Sequence, residues 1–220
     1  MKATYGKRSE RRPTQYLDLD GRRFGISLGL GLASLAMSRH RDIGIALATT
    51  ARVAFLFFWP AYVGGALTSL FGSVFAPLKE HARDLGLAFA AAISVHLSFV
   101  ANLCLVGHAP STKTFIIFGI AAAFTYLLAL LSISRVRQAL PKPFWPPIRF
   151  VAMNYIALAF LLDFKRFPIN DLRGSLAYLP FAALAIIGPM LRFAAWFHNR
   201  WSWKLGRLIR PRGLGTLKNP

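Results

Sequence analysis

The chain has 220 residues, of which 55% are hydrophobic and only 16% charged, and its mean hydropathy is +0.45. Twenty-seven Lys and Arg residues against eight Asp and Glu residues give a formal net charge of +19 at pH 7. A water-soluble domain usually devotes about a quarter of its residues to charge, so this composition excludes an ordinary soluble globule and indicates an integral membrane protein.

The charged residues lie mainly outside the apolar segments. Residues 1–23 form a basic arm, and residues 199–220 form a basic tail. Between them, the predicted transmembrane domain of residues 24–198 contains six apolar segments, at about 24–38, 43–71, 85–107, 114–134, 148–164 and 174–197. A helix needs about 20 apolar residues to cross a bilayer, and only the first and fifth segments are clearly shorter. The sequence predicts an all-α integral membrane protein, a bundle of about six transmembrane helices.

Helices are favoured over the strands of a β-barrel because the apolar segments are continuous and show no two-residue alternation. With six spans and both termini in the cytoplasm, nineteen of the 27 Lys and Arg residues would lie inside and six outside. The other two, Arg52 and Arg192, fall within apolar segments. This asymmetry obeys the positive-inside rule. It argues against cleavage of the first segment as a signal peptide and predicts cytoplasmic termini.

His96 is the first candidate site residue because it lies near the middle of the third apolar segment, where water offers it no hydrogen bond. A neutral imidazole there is suited to ligating haem iron. The alternative is a hydrogen bond between helices. The polar residues nearby that would help such a bond are Ser94, Ser98 and Asn102.

The stretch Leu85-Gly86-Leu87, followed nine residues later by His96-Leu97, resembles the third span of the ferric reductase-like transmembrane domain superfamily. A fourth span ending in Leu127–Ser134 and a fifth opening at Trp145 continue the resemblance, which covers roughly residues 43–165. Within that superfamily, the stretch resembles the haem-binding membrane subunit of the bacterial methionine sulfoxide reductase system. The resemblance implies a six-span protein of the bacterial inner membrane that transfers electrons.

In this family, haem b is held between a histidine of the third span and two histidines of the fifth. His96 matches the first, whereas Arg149 and Leu162 stand at the other two positions. An arginine stays protonated and a leucine has no lone pair, so neither ligates iron. Met153 on the fifth segment is the remaining candidate for the opposite ligand, because Met/His ligation of haem occurs, although a methionine in an apolar helix often only fills space.

Arg52, within the second apolar segment, is costly in hydrocarbon unless its charge is satisfied. It could hold a haem propionate, pair with Asp163, or extend its side chain to the lipid headgroups. His81, at the edge of the third segment, lies near the position of a second haem ligand in some relatives, but the fifth segment offers it no partner.

Two functions from different classes follow. The first is a membrane electron-transfer protein that holds one haem b through His96, with a separate protein or quinone as electron donor. The second is a cofactor-free accessory or scaffold subunit of a larger membrane complex. The chain has no nucleotide-binding or hydrolase motif, so no self-contained catalytic site is expected. The basic ends are expected to bind anionic lipid headgroups or a protein partner rather than nucleic acid.

Overall fold

The computed structural model describes residues 43–133, 136, 138, 141–164 and 172–209. Every regular element among them is helical. The α-helices are α1 (Ile43–Phe71), α2 (Ala76–Glu80), α3 (Ala82–Leu105), α4 (Thr112–Leu131), α5 (Trp145–Phe164) and α6 (Leu172–Ile209), and 3₁₀ turns cover Gly72–Phe75 and Lys142–Phe144. The prediction of helices rather than strands is confirmed for these residues.

Five helical stretches are long and apolar enough to cross a membrane: Gly44–Glu80, Ala82–Leu105, Thr112–Leu131, Trp145–Phe164 and Tyr178–Trp201. They correspond to the second to sixth predicted segments. The predicted segment at 24–38 and the basic arm at 1–23 lie outside the described residues. The sixth segment is longer than predicted, because α6 continues to Ile209, two residues before Pro211. A proline is common just beyond a helix end since it cannot continue the helix.

Helix α1 lies between α3 on one side and α6 on the other, and its contacts set the directions of both. Thr50 meets His96 and Phe58 meets Phe89, so α1 and α3 are antiparallel. Toward α6, Phe55 meets Phe181 and Ser69 meets Asn199, so α1 and α6 run in the same direction.

Helix α5 closes the bundle against α1 and α6, and α4 packs outside α5. Phe160 and Phe164 of α5 contact Phe55, with ring centroids 5.1 and 5.0 Å away. On its other face, the Tyr155 hydroxyl donates to the Ile117 carbonyl of α4 at 3.3 Å. Helix α4 is the least covered of the long helices. Its exposed large side chains are Phe115, Ile116, Ile120, Tyr126, Leu127 and Leu130.

These directions bring the C-terminal ends of α1, α4 and α6 together with the N-terminal ends of α3 and α5. We call this end of the bundle the basic end. The described Lys and Arg residues of these helix ends and of the turns between them are Lys79, Arg83, Lys142, Arg149, Arg200, Lys204 and Arg207. At the helix starts of the other end, the described ones are Lys113 and Arg173. In the part of the chain that the structure describes, the basic residues are therefore concentrated at one end of the bundle.

Gly64 marks a close approach between α1 and the short helix α2. A Cβ atom on Gly64 would lie 3.1 Å from the carbonyl carbon and oxygen of Leu78, whereas one on Gly65 would meet nothing within 4 Å. The obstacle at Gly64 is main chain, which cannot rotate aside as a side chain does. The α1–α2 corner therefore requires a glycine at residue 64 and not at residue 65.

We expect Gly64→Ala to lower the free energy of unfolding by about 1–3 kcal/mol, the usual cost of overpacking. Gly65→Ala is the matched control and should be neutral or slightly stabilising, because alanine has the higher helix propensity. Unfolding of the detergent-solubilised protein by SDS titration measures both changes. Equal stability of the two variants would contradict the close approach.

Candidate functional site

His96 of α3 is held to α1 by Thr50. The distance between His96 Nδ1 and Thr50 Oγ1 is 2.9 Å, and Thr50 Oγ1 also lies 2.8 Å from the Ala46 carbonyl and 3.1 Å from the Leu47 carbonyl. A threonine hydroxyl has one hydrogen. If that hydrogen is donated to a carbonyl of α1, Nδ1–H donates to Oγ1 and Nε2 keeps its lone pair. In this tautomer, assigned from the hydrogen-bond network, Nε2 is the nitrogen left for a ligand.

The surroundings of this pair are small and apolar. Ala46, Val95 and Phe99 form a buried cluster there, with Leu47 packed against it. Thr50 is itself only 3% exposed, which makes it one of the two buried polar residues among those described. The His96–Thr50 bond therefore fixes the α1–α3 contact in a place with little other polar chemistry.

Sequence reasoning did not find Thr50 as the partner of His96. The polar neighbours expected within α3 are engaged elsewhere: Ser94 Oγ lies 3.0 Å from the Tyr126 hydroxyl of α4, and Ser98 Oγ donates to the Ser94 carbonyl. The signal for Thr50 was present, since it is a polar residue in the second apolar segment. Using it required the register between α1 and α3, which the sequence does not provide.

Met153 lies far from His96. It is buried in the main core of the bundle, one residue before Asn154, whose Oδ1 accepts a 2.8 Å hydrogen bond from the Tyr62 hydroxyl. Along α1, Tyr62 is twelve residues beyond Thr50, which is about 18 Å at 1.5 Å per residue. The structure therefore does not place Met153 where it could ligate a haem iron on the side opposite His96.

Arg52 also faces away from His96. It is two residues after Thr50, a rotation of about 200° around the helix. Its guanidinium carbon lies 4.4 Å from the centre of the Tyr178 ring and 5.8 Å from that of Phe181, both on α6. Its Nε is enclosed and has no hydrogen-bond partner. Aromatic faces attract such a cation, so Arg52 contributes to the α1–α6 contact, and a propionate held by Arg52 would lie on the opposite face of α1 from His96.

Arg149 and Leu162, which stand where the resembled family has its two other haem ligands, also lie away from His96. Arg149 is exposed in the first turn of α5, and Leu162 is half-buried near its end. His81 is exposed at the start of α3, where its Nδ1 donates to the Pro77 carbonyl at 2.8 Å. Within the described ranges, no three His, Cys, Asp or Glu residues come close enough together to hold a metal ion.

Aromatic rings fill the interior of the bundle at the level of Phe58. Phe58 contacts Phe89 of α3 and Phe160 of α5 with ring centroids 5.2 and 5.5 Å apart, and Phe89 and Phe160 are 5.9 Å apart. A cavity of about 400 Å³ lies at the corner of α1, α2 and α3. Its lining residues are Phe57, Pro77, Leu78, His81, Asp84, Leu85 and Ala88. The rings and the cavity both lie toward the basic end from His96, so neither forms a haem pocket at this residue.

Comparison of the chain with protein-family models, with curated proteins and with solved structures found no match.

A double-mutant cycle tests the His96–Thr50 pair. We expect His96→Leu and Thr50→Val to couple by about 0.6 kcal/mol in the free energy of unfolding, the average measured for hydrogen bonds between membrane helices, with about 1.7 kcal/mol as the upper limit. SDS titration of the single and double variants gives the coupling. Ser98→Ala is the control, because the exposed Ser98 hydroxyl bonds within α3, and it should not couple to Thr50→Val. Zero coupling at His96 would mean that the bond does not form.

Proposed function

We propose that the chain is an integral membrane protein and that its five described long helices cross a bilayer together with the segment at 24–38. Their lengths and composition support this, since about 20 apolar residues span the hydrocarbon layer. The proposed orientation places the basic end of the bundle at the cytoplasmic face of a bacterial inner membrane, as the positive-inside rule requires.

Within that membrane, the function that the geometry supports best is that of a cofactor-free accessory subunit of a larger complex. The observation that carries this proposal is the use of polar side chains inside the apolar helices. These side chains join helices to one another, in the pairs Thr50–His96, Tyr62–Asn154, Trp59–Leu184 carbonyl, Tyr155–Ile117 carbonyl and Ser94–Tyr126.

Proteins that move ions or electrons through a membrane place such groups around a pathway or a cofactor. Here the same groups are used for assembly, and the space between α1, α3 and α5 is occupied by aromatic rings. A bundle with a filled interior acts through its outer surface. The proposal agrees with the resemblance to ferric reductase-like proteins on one condition. The chain would have to be a relative that has the membrane spans of that family without its haem ligands.

A second candidate function, electron transfer through one haem b, is favoured by the Thr50 bond to His96. Histidine ligands commonly donate their other ring N–H to a fixed oxygen, which orients the ring. A haem at Nε2 of His96 would supply one-electron redox chemistry. Its opposite ligand would have to come from a residue other than Met153, and the electron donor would be a separate protein or quinone.

Visible absorption separates the two candidates. The protein is expressed with a haem precursor and purified in mild detergent beside His96→Leu. An accessory subunit is expected to give the same reduced-minus-oxidised spectrum in both forms, without a sharp α band. An α band in the wild-type protein that disappears in His96→Leu would overturn the cofactor-free proposal and establish the haem candidate.

The subunit proposal also predicts a defined assembly. The tagged chain, expressed at its native level in its own organism and extracted with digitonin, should migrate as a complex containing a second protein at fixed stoichiometry. Deleting the chain should lower the amount of that partner, because unassembled membrane subunits are degraded. A particle containing only copies of this chain, with unchanged membrane proteins in the deletion strain, would contradict the proposal.

A further inference from the structure

Two arginines lie at the basic end of the bundle, where α5 and α6 meet. Arg192 of α6 is half-buried, with its guanidinium carbon 4.5 Å from the centre of the Tyr62 ring and 5.8 Å from that of Phe150. Arg149 is the residue before Phe150 on α5, so both arginines belong to the same part of the α5–α6 contact. Two positive charges in one such place are stabilised by an anion between them.

The described carboxylates do not supply that anion. Asp163 is fourteen residues after Arg149 on α5, about 21 Å along the helix axis. Glu80 and Asp84 belong to the α2–α3 corner, and α1 separates that corner from α6. The pair of arginines is therefore a local excess of positive charge within a described region that has few acids.

Two successive hydrogen bonds fix the Tyr62 ring over which Arg192 lies. The Tyr62 hydroxyl donates to Asn154 Oδ1 at 2.8 Å, and Asn154 Nδ2 donates to the Phe150 carbonyl at 2.7 Å. These bonds hold the Tyr62 ring against α5, and the guanidinium lies over that ring. A cation–π contact uses the face of the guanidinium and leaves its N–H edge available for an acceptor.

Large apolar side chains next to the two arginines are exposed. Phe150 follows Arg149 on α5, and Phe193 and Trp196 follow Arg192 by one and four residues on α6; each is at least 54% exposed. Such a surface suits lipid chains, with the aromatic residues near the headgroup level. An anion that reaches the two arginines from this side would carry its own hydrocarbon.

We infer that Arg149 and Arg192 bind the phosphate of an anionic membrane lipid where α5 and α6 meet at the basic end. The inference rests on the proposed membrane insertion, but not on the subunit function. Guanidinium groups bind phosphate oxygens through paired N–H donors, and Tyr62 and Asn154 are positioning residues for Arg192. The site takes a phosphodiester headgroup with its acyl chains along the exposed faces of α5 and α6.

Native mass spectrometry tests the inference on the full chain in detergent mixed with phosphatidylglycerol or with phosphatidylcholine. We expect one phosphatidylglycerol to be retained more strongly than phosphatidylcholine. Replacing Arg149 or Arg192 with Gln should weaken this retention about fivefold each, since a basic residue near a headgroup contributes about that factor in affinity. Arg149→Gln is informative even if Arg192→Gln folds poorly, because Arg149 is exposed.

Arg200→Gln is the matched control. Arg200 is exposed, like Arg149, and belongs to α6, like Arg192. Its guanidinium carbon lies 5.4 Å from the centre of the Trp196 ring. It should retain the lipid as the wild-type protein does. Equal loss in all three variants would mean diffuse attraction to the basic end and would overturn the site. Tyr62→Phe keeps the ring but removes the bond to Asn154, and is expected to weaken retention less than Arg192→Gln.

Inorganic phosphate distinguishes the two sources of the anion. Thermal unfolding in phosphatidylcholine is measured with millimolar phosphate and, separately, with phosphatidylglycerol. The lipid should raise Tm in the wild-type protein and not in the Arg149→Gln, Arg192→Gln double variant. An equal rise with free phosphate would overturn the lipid assignment. Liposome flotation is a separate test: a chain that does not float with liposomes would contradict membrane insertion itself.

Discussion

Phe55 and Phe58 of α1 are the residues on which the rest of the bundle depends. Phe55 contacts Phe160 and Phe164 of α5 and Phe181 of α6, and Phe58 contacts Phe89 of α3. Association of helices in a bilayer depends on close packing rather than on the removal of apolar surface from water. Edge-to-face ring pairs provide such packing. Four helices are thereby joined through two adjacent turns of α1.

This packing also decides where polar chemistry is found. Rings fill much of the level of Phe55 and Phe58, where Trp59 Nε1 donates to the Leu184 carbonyl of α6. Two further polar contacts lie on either side of this level. Thr50 and His96 form one polar contact, toward the N-terminal end of α1. Tyr62, Asn154 and Arg192 form another, toward its C-terminal end. The aromatic layer separates these two polar contacts, so a change at one is expected to reach the other only through the helices themselves.

The helical class and the second to sixth apolar segments could be predicted from the sequence, because composition and continuous apolar length are local properties. The charge asymmetry between the ends could be predicted as well. The bounds were less accurate: α3 begins at Ala82 rather than at 85, and α6 extends to Ile209. Polar residues such as Asp84 at the start of α3 lower the local hydropathy without ending the helix, which is why an apolar pattern stops short of them.

The sequence indicated candidate site residues individually, but it did not indicate which of them lie together. The sequence singled out His96 as a histidine within an apolar segment, with an iron ligand or a hydrogen bond between helices as the alternatives, but its partner Thr50 depends on the register between α1 and α3. Arg52 and Met153 were grouped with His96 because each is unusual or suitable by itself. Their separation follows from two geometric quantities that composition does not contain: the rotation from Thr50 to Arg52 around α1, and the distance along α1 from Thr50 to Tyr62.

Arg149 and Arg192 show how charge at one end of the bundle shapes its electrostatics. Both belong to the place where α5 and α6 meet, because the Arg192 guanidinium lies over the Tyr62 ring and near Phe150, the residue after Arg149. A neutral side chain at residue 149 would leave less positive charge beside Arg192, whereas a second guanidinium raises the demand for an anion. In a membrane, lipid phosphate is the nearest abundant supply of negative charge, so the inferred lipid contact depends on both residues together.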